Sequence, residues 1–151
     1  MSNQLIKFKI ITPEKTVFEA ETTQATLPVS EGEVTILANH RPYIASLTPG
    51  EIVLKTKNGM DEEETSLVVS GGFIEFNENV LTVLADTAER AEEIDLKRAE
   101  EARARAEELK KNRIGMDEND YARVAAAIQK EMARIRVARK HYTKQGININ
   151  Q

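Results

Sequence analysis

The 151-residue sequence predicts an α+β fold in which the β-structure comes first: an antiparallel β-sandwich or flattened barrel, followed by an antiparallel two-helix hairpin. Three observations indicate this fold. Short β-branched or alternating runs recur at intervals of roughly 8–12 residues in the first part of the chain, with turn signals between them. The apolar period changes from 2 to about 3.6 near Asp86-Thr87. The helical pattern is confined to the part that follows, which excludes an alternating α/β repeat.

The predicted strands are short, and each ends at a turn signal. Residues 5–11 alternate between apolar and polar side chains, which predicts a half-buried strand. Asn58-Gly59 predicts a hairpin with a type I′ turn, because that turn requires a positive φ at both central residues. Gly71-Gly72 predicts a bulge or a sharp bend. Further strands are predicted at residues 17–18, 24–27, 34–37, 43–47, 51–57, 67–69, 73–76 and 80–84.

The change of period divides the chain into a β-domain over residues 1–87 and a helical hairpin over residues 88–151. Helices are predicted at about 88–111 and 118–142, with Asp86 or Thr87 as the N-cap of the first. Because the connection between them is short, the two helices are expected to run antiparallel.

The two helices differ in apolar content. The first is rich in alanine, whereas the second carries an apolar stripe. The members of this stripe are Tyr121, Val124, Ala125, Ile128, Met132 and Ile135. Burying a large apolar side chain is worth roughly 1.5–3 kcal/mol, so the first helix offers little packing energy. We therefore hypothesise that the hairpin is only weakly packed, both internally and against the sandwich, and that it can detach and adopt another position.

Composition and charge narrow the possible functions. The absence of cysteine excludes disulfides and cysteine-ligated zinc and favours a reducing compartment. The start of the sequence predicts no signal peptide, and no apolar run is long enough to span a membrane. Residues 1–87 carry 13 acidic and 6 basic residues, a net of −7, whereas residues 114–151 carry 4 and 7, a net of +3. This asymmetry favours docking of the last segment on something acidic and argues against nucleic-acid binding.

The sequence contains no arrangement typical of an enzyme. His40 lies in a predicted loop and His141 at a basic helix end, and no serine lies in a nucleophile motif. No group of side chains has the spacing of a metal site. Gly71-Gly72 does not open a helix, as a phosphate-binding loop would. We therefore predict a non-catalytic protein without a metal.

Two basic stripes lie on the predicted helices. Arg98 and Arg105 are seven residues apart on the first, and Arg123, Lys130 and Arg134 fall at i, i+7 and i+11 on the second. In an antiparallel hairpin these stripes could converge on a polyphosphate, which arginine binds through paired N–H groups. The alternative, which composition favours, is a set of surface ion pairs. Their carboxylate partners would be Glu101, Glu108 and Glu131.

Several segments together resemble one known family. SEGEVTILANHRPYIASLTPGEI, SGGFIEF, VLADTAERAEEID and LKRA are similar, in this order, to the epsilon subunits of bacterial F-type ATP synthases. The resemblance covers nearly the whole chain. It departs from the family where Thr35 replaces a common Gly and where Ala38-Asn39 replaces a common Pro-Gly.

The resemblance implies a non-catalytic subunit of the central rotor stalk at the cytoplasmic face of the plasma membrane. Its sandwich would bind the gamma subunit and the ring of c subunits, coupling the catalytic head to a proton- or sodium-translocating ring. Glu31, Glu33 and His40 lie in loops at or beside positions near that ring. The helices would extend to the alpha/beta head and block ATP hydrolysis. From the residues alone, these polar loops are equally explained as simple turns.

The resemblance also implies that no cofactor is required but that one regulatory ATP can bind to the folded hairpin. The motif reads Ile94-Asp95-Leu96-Lys97-Arg98-Ala99, in which Ile94, Asp95, Arg98 and Ala99 match the family pattern. Further positions around the nucleotide in that family match Glu89, Arg105, Arg123, Lys130 and Arg134, with Lys130 standing where an Arg is usual.

Two alternatives to a rotor-stalk subunit stay open: a free-standing ATP-sensing module, and an adaptor whose helices pair with a coiled coil of a partner.

Overall fold

The structure is a computed structural model that describes residues 4–112 and 114–147. The chain forms two units, Met1–Arg90 and Ala91–Gln151. The predicted fold class is confirmed, because the first unit is a nearly closed β-sandwich of ten strands and the second contains two long helices. The strands are β1 (Ile6–Ile11), β2 (Thr16–Thr22), β3 (Gln24–Val29), β4 (Gly32–Leu37), β5 (Tyr43–Leu47), β6 (Gly50–Asn58), β7 (Asp61–Val69), β8 (Gly72–Asn77), β9 (Val80–Ala85) and β10 (Ala88–Arg90).

The strands are joined in the order β10-β7-β6-β3-β5-β8-β9-β1-β2, and β4 pairs with β3. Among the described strands, the pairs are antiparallel except that between β1 and β9, which is parallel. The alternating sequence did not reveal this exception, because alternation is the same whichever way the neighbouring strand runs. The first strand of the chain is thus inserted between β9 and β2.

The core of the sandwich is formed by the inward side of each alternating strand. Phe8 and Ile10 of β1 lie in register with Leu81 and Val83 of β9, and all four are buried. The other large buried side chains come from both halves of the sandwich, which indicates a continuous core. They include Ile6, Leu27, Ile36, Ile52, Leu54, Leu67, Val69, Ile74 and Phe76.

The turns of two β-hairpins, β6–β7 and β8–β9, differ in which of their central residues has a positive φ angle. Asn58 pairs with Asp61, so the central residues of that turn are Gly59 and Met60. Gly59 has φ 67° but Met60 does not have a positive φ, so the predicted type I′ turn at Asn58-Gly59 is wrong. A glycine at the first central position fits a type II′ turn, which matches strand twist equally well. The loop between β8 and β9 has positive φ at both central residues instead.

Gly72 marks a close approach between β8 and β9. It pairs with Ala85 and has φ 130°, a conformation that a side chain rarely allows. A Cβ at Gly72 would overlap the Leu84 carbonyl oxygen and lie 2.9 Å from the Ala85 Cα. Gly32 has nearly the same φ, 127°, but nothing lies within 4 Å of the position of its Cβ. The predicted bend at Gly71-Gly72 is therefore a site where the backbone itself requires glycine.

We expect Gly72→Ala to lower the free energy of unfolding of the sandwich by roughly 3 kcal/mol or more, because backbone strain and overpacking add together. Gly32→Ala is the matched control and should cost only the strain, about 1–2 kcal/mol. Urea unfolding of the full chain, followed by the NMR methyl signals of Leu81 and Val83, measures both values. Equal losses of unfolding free energy in the two variants would show that the close approach at Gly72 does not contribute to stability.

The first long helix begins later than predicted. Residues Ala88–Arg90 form β10, which pairs antiparallel with Leu67–Val69 of β7, and a 3₁₀ turn follows at Ala91–Glu93. The helix, α1, spans Leu96–Lys111. The prediction of a helix from about residue 88, capped by Asp86 or Thr87, is thus wrong, because strand pairing overrides the helix propensity of an Ala-Glu-Arg segment. The N-cap is Asp95, whose Oδ1 accepts a hydrogen bond from the Arg98 backbone N–H (3.0 Å).

The second long helix, α2, spans Glu118–Lys144 and is capped by Asp117. Two contacts show that it runs antiparallel to α1. Arg139, near the end of α2, forms an ion pair with Glu100, near the start of α1 (2.8 Å). Lys110, at the other end of α1, places its Nζ 5.8 Å from the centre of the Tyr121 ring. Neither helix of the described chain carries an apolar stretch of the length that a bilayer requires.

The surfaces that α1 and α2 bury are unequal, as the sequence predicted. The buried side chains of α1 are Ala99 and Ala106. The apolar stripe of α2 is wrong at one position, because Met132 is 37% exposed and Glu131 is buried in its place. The ion pair between Glu131 and Arg134 makes this possible, since a carboxylate needs a partner when it leaves water. The other buried residues of α2 are Ile128, Ala133, Ile135, Val137 and Ala138.

Candidate functional site

The helical hairpin carries one side on which basic residues collect. Each residue of an α-helix is rotated by about 100° from the one before it. Glu100 comes directly after the buried Ala99, and Arg139 comes directly after the buried Ala138. Because Glu100 and Arg139 form an ion pair, residues that directly follow the positions buried between the helices lie on one side of the hairpin. Residues that precede the buried positions must then share the opposite side.

Among the described residues of α1 and α2, five basic residues directly precede a buried residue, but one of them, Arg136, precedes Val137, which is two residues from Ile135 and so points about 160° away from it, on another face of α2. The other four lie on one side of the hairpin. Arg98 precedes Ala99, Arg105 precedes Ala106, Lys130 precedes Glu131 and Arg134 precedes Ile135, where each second residue is buried. We call Arg98, Arg105, Lys130 and Arg134 the basic flank. Because α1 and α2 are antiparallel, Arg134 lies opposite the turn between Arg98 and Arg105. These two arginines are seven residues apart, or about 10 Å along the helix axis.

Three members of the basic flank are available to an anion. Arg98 and Arg105 are exposed and Lys130 is half-buried. Within residues 4–112 and 114–147, none of these three side chains forms an ion pair with a carboxylate. Glu101 and Glu108, which the ion-pair interpretation proposed as partners, are exposed. The surface ion-pair interpretation therefore does not explain these three cations.

Arg134 differs from the other three. Its Nη1 donates to Oε2 of Glu131 at 2.9 Å, with 18% of the Arg134 side chain and 11% of the Glu131 side chain exposed. Of the three proposed carboxylate partners, Glu131 is thus the one that forms the predicted pair within the described residues. The pair lies on the side of α2 that is packed, which shields it from solvent.

The Ile94–Ala99 motif also builds the start of α1. Ile94 and Ala99 are buried, whereas the Asp95 carboxylate caps the helix and thereby fixes the position of Arg98. The motif thus has a structural role that requires no ligand, and its capping geometry presents Arg98 at the first turn. The role of these residues in nucleotide binding stays a prediction.

Two predicted nucleotide contacts, Arg123 and Glu89, are not members of the basic flank. Arg123 is exposed on the first half of α2, eleven residues or about 16 Å along the axis from Arg134. Glu89 is half-buried in β10 of the first unit, where it pairs with Val68. Arg123 is nearer to Lys130, which is seven residues or about 10 Å further along the same helix, so Arg123 extends the cations of the basic flank toward the start of α2.

The predicted ring-contact residues lie at the two ends of β4. Glu31 is in the turn before this strand and Glu33 is its second residue, and both are exposed. His40 follows the other end, about 16 Å away for a strand of this length. Its Nδ1 lies 2.8 Å from the Arg41 carbonyl oxygen, and its ring meets the Phe76 ring edge-on at 5.9 Å. The two loops thus do not converge at one end of that strand.

Asn39, where the resembled family commonly has Gly, keeps a left-handed backbone. Its φ is 64°, which asparagine tolerates better than most residues. Its side chain is held by Gln4, and its backbone N–H donates to the Asn79 Oδ1 at 2.6 Å. The substitution is therefore compatible with a sharp turn in this loop.

An exposed apolar patch was missed by sequence reasoning. Ile44, Phe73 and Leu84 lie on the outward side of β5, β8 and β9, with exposed fractions of 74%, 60% and 54%. Phe73 and Leu84 face each other in register, and Ile44 is paired with Glu75, two residues from Phe73. Alternation could have revealed the patch, because Ile74 and Phe76 point inward and so Phe73 must point outward. We call Ile44, Phe73 and Leu84 the apolar patch.

The described residues contain no group of three or more His, Asp or Glu side chains that could hold a metal ion. The second unit presents the cations of the basic flank, and the first unit presents the exposed apolar patch.

Comparisons with known families agree with this division into two parts. The model of the ATP synthase delta/epsilon chain β-sandwich domain matches residues 5–91. The model of the ATP synthase delta/epsilon chain long α-helix domain matches residues 92–139. The chain therefore belongs to the delta/epsilon chain family of ATP synthases.

Similar proteins specify the member of the family. The chain is 44% identical over 137 residues to the ATP synthase epsilon chain of Dehalococcoides mccartyi, covering 89% of this chain and 93% of that one. It is 42% identical over 139 residues to the epsilon chain of Chloroflexus aggregans, covering 92% and 96%. The epsilon chain of Syntrophomonas wolfei is 36% identical over 140 residues, covering 93% and 98%. The resemblance to epsilon subunits is thus confirmed.

Two solved structures of mitochondrial ATP synthases contain a chain with a similar fold. A chain of the Euglena gracilis OSCP/F1/c-ring assembly matches with a TM-score of 0.71 at 22% identity, covering 85% of this chain and 78% of that one. A chain of the Tetrahymena thermophila central stalk and c-ring assembly matches with a TM-score of 0.56 at 16% identity, covering 91% and 96%. At these identities the likeness concerns the fold alone.

Proposed function

We propose that this chain is a non-catalytic rotor-stalk subunit of a proton- or sodium-translocating F-type ATP synthase, bound at the cytoplasmic face of the plasma membrane through its partners. The match of both structural units, in order, to the two domains of the delta/epsilon family carries this proposal. The sandwich is the anchor on the stalk, and the helical hairpin is the regulatory arm. A free-standing ATP-sensing module would have no use for the exposed apolar patch on the sandwich.

The apolar patch is the surface that we assign to the gamma subunit. Exposed contiguous apolar side chains of this size on a small domain favour a protein partner, because their exposure to water is unfavourable. Glu75 lies two residues from Phe73 on β8, and Lys9 pairs with Thr82, two residues from Leu84 on β9, so both would form a polar rim. Glu31, Glu33 and His40 remain the proposed contacts to the ring of c subunits, as implied by their positions in the family.

We expect Phe73→Ser combined with Leu84→Ser to weaken binding to the isolated gamma subunit by roughly a hundredfold, because two large apolar contacts are lost. Surface plasmon resonance with immobilised gamma measures the change. Met60→Ser is the control, because Met60 is also fully exposed but lies at the tip of the β6–β7 hairpin. Unchanged affinity in the double variant would place the gamma contact elsewhere on the sandwich.

The hairpin is suited to act as an arm that changes place. α1 buries alanines, and the ion pair between Glu100 and Arg139 at the edge is exposed and so contributes little. The net charge of +3 over residues 114–151 suits docking on an acidic surface of the alpha/beta head. We propose that the extended arm obstructs rotation in the direction of ATP hydrolysis.

Removal of residues 91–151 should raise ATP hydrolysis by the reconstituted head and stalk by about fivefold or more, the lower end of ordinary allosteric effects. The measurement compares hydrolysis rates with the full chain and with the truncated chain. Binding of the truncated chain to gamma is checked in parallel, so that a change in rate cannot come from loss of the subunit. A truncated chain that stays bound and leaves the rate unchanged would contradict the inhibitory arm.

The basic flank is the proposed binding site for a regulatory ATP. Arg98, Arg105, Lys130 and Arg134 lie on one side of the hairpin, and a triphosphate carries several negative charges that they could share. Ile94, Asp95, Ala99, Glu89 and Arg123 are the further contacts that the family resemblance implies. Binding to the folded hairpin would bias the arm away from its inhibitory position, by no more than the difference in affinity between the two states.

We expect Arg98→Ala combined with Arg134→Ala to lower ATP affinity by roughly a hundredfold or more, because two charge-assisted hydrogen-bond donors are removed. Isothermal titration calorimetry on the full chain measures this loss. Lys111→Ala combined with Arg136→Ala is the matched control: it removes one exposed cation from each helix outside the basic flank. An equal loss in both double variants would indicate general electrostatic attraction instead of a site.

A further inference from the structure

Glu131 is a charged side chain in a place where charges are rarely found. It is 8% exposed, and in the described residues it is the one buried side chain that carries a charge. Thr22, the other buried polar residue, is neutral, and its hydroxyl lies within hydrogen-bonding distance of the Gln24 and Lys55 carbonyl oxygens. Burying a carboxylate is costly unless it is paired, so the contact with Arg134 is what allows Glu131 to occupy this position.

This contact ties Glu131 to the basic flank. Arg134 Nη1 donates to Glu131 Oε2 at 2.9 Å, one turn along the same helix. The other flank members, Arg98, Arg105 and Lys130, form no such ion pair within the described chain. Arg134 therefore stands among cations that are available for an anion, while its own charge is already balanced.

An anion that binds the basic flank either displaces the Glu131 carboxylate from Arg134 or is repelled by it. If it takes the Nη1 donor of Arg134, it displaces Glu131 and leaves that carboxylate buried without its partner. If it binds beside the pair, two negative groups share one guanidinium in a partly desolvated place, where repulsion is stronger than in water. In both cases Glu131 opposes the bound anion.

We propose that Glu131 is an affinity-determining residue of the hairpin: its carboxylate competes with the phosphate groups of a nucleotide for Arg134. This inference rests on the proposed ATP site and names the group in this chain that weakens it. The consequence is a site that fills only when the nucleotide is abundant, because each bound triphosphate must overcome an internal counter-ion.

The test measures ATP affinity of the full chain by isothermal titration calorimetry for Glu131→Gln. We expect about tenfold tighter binding, the size of effect that one charge has on another near a protein surface. Glu107→Gln is the matched control, because Glu107 also forms an ion pair at 2.9 Å on the hairpin, but with Arg103, which is not part of the basic flank. Its ATP affinity should stay within about twofold of the wild type.

A double-mutant cycle tests whether the gain in ATP affinity depends on Arg134. If Glu131 acts through this arginine, Glu131→Gln should give little or no gain in an Arg134→Ala background. Glu131→Met, which keeps the length of the side chain but cannot accept the hydrogen bond, should tighten binding as well. Far-UV circular dichroism checks that each variant keeps its helices, and the Met variant takes the place of the Gln variant if that one loses them.

The possible results separate this inference from the proposed function. Weaker binding by Glu131→Gln would show that Glu131 orients Arg134 for the nucleotide, which overturns the inference and leaves the ATP site standing. An affinity equal to that of Glu107→Gln, or a gain that persists without Arg134, overturns it in the same way. If neither the wild type nor any variant binds ATP at millimolar concentration, both the ATP site and the inference are overturned.

Discussion

The scarcity of apolar contact between the two helices is the constraint on which the regulatory interpretation depends. α1 buries Ala99 and Ala106, which are too small to contribute much packing energy. Part of the buried side of α2 is occupied by Glu131, whose desolvation offsets some of what its apolar neighbours contribute. The polar contacts at the edges, such as Glu100–Arg139, fix the antiparallel register more than they add stability. A hairpin of this kind has a defined structure but few large apolar contacts to stabilise it.

The sandwich has the opposite character. Its core draws large side chains from most of its strands, and its first strand is enclosed between β9 and β2. The close backbone approach at Gly72 leaves no space for a side chain. These features make the sandwich a dense body, since close packing resists compression. The two units thus differ in the size of the side chains that they bury, and elements with few buried apolar contacts are generally the ones that open most readily.

Local patterns in the sequence were sufficient for the fold class, most strands and the existence of both helices. They failed where a distant segment decides the local conformation. Ala88–Arg90 has helical propensity but pairs with Leu67–Val69, and this partner is not visible in the local sequence. Similarly, the parallel pairing of β1 with β9 leaves no mark on alternation. At the candidate site, the spacing of Arg98 and Arg105 placed them on one side of a helix, but the burial of Glu131 depends on its contact with Arg134 and on the face that α2 turns inward.

The parallel pairing of β1 with β9 also determines when the sandwich can be completed during synthesis. Residues 7–11 pair with residues 80–84, so this edge of β1 stays unpaired until most of the domain has left the ribosome, whereas the opposite edge can pair with the neighbouring β2 early. Pairings between segments far apart in sequence are slow to form, because the chain loses the entropy of closing a long loop before any stabilising contact is made. The helices, whose contacts are more local, face no such delay. The nascent chain therefore holds β1 paired with β2 on one edge only for much of translation, and the other edge, which β9 later covers, is the part of the sandwich most in need of protection from other chains.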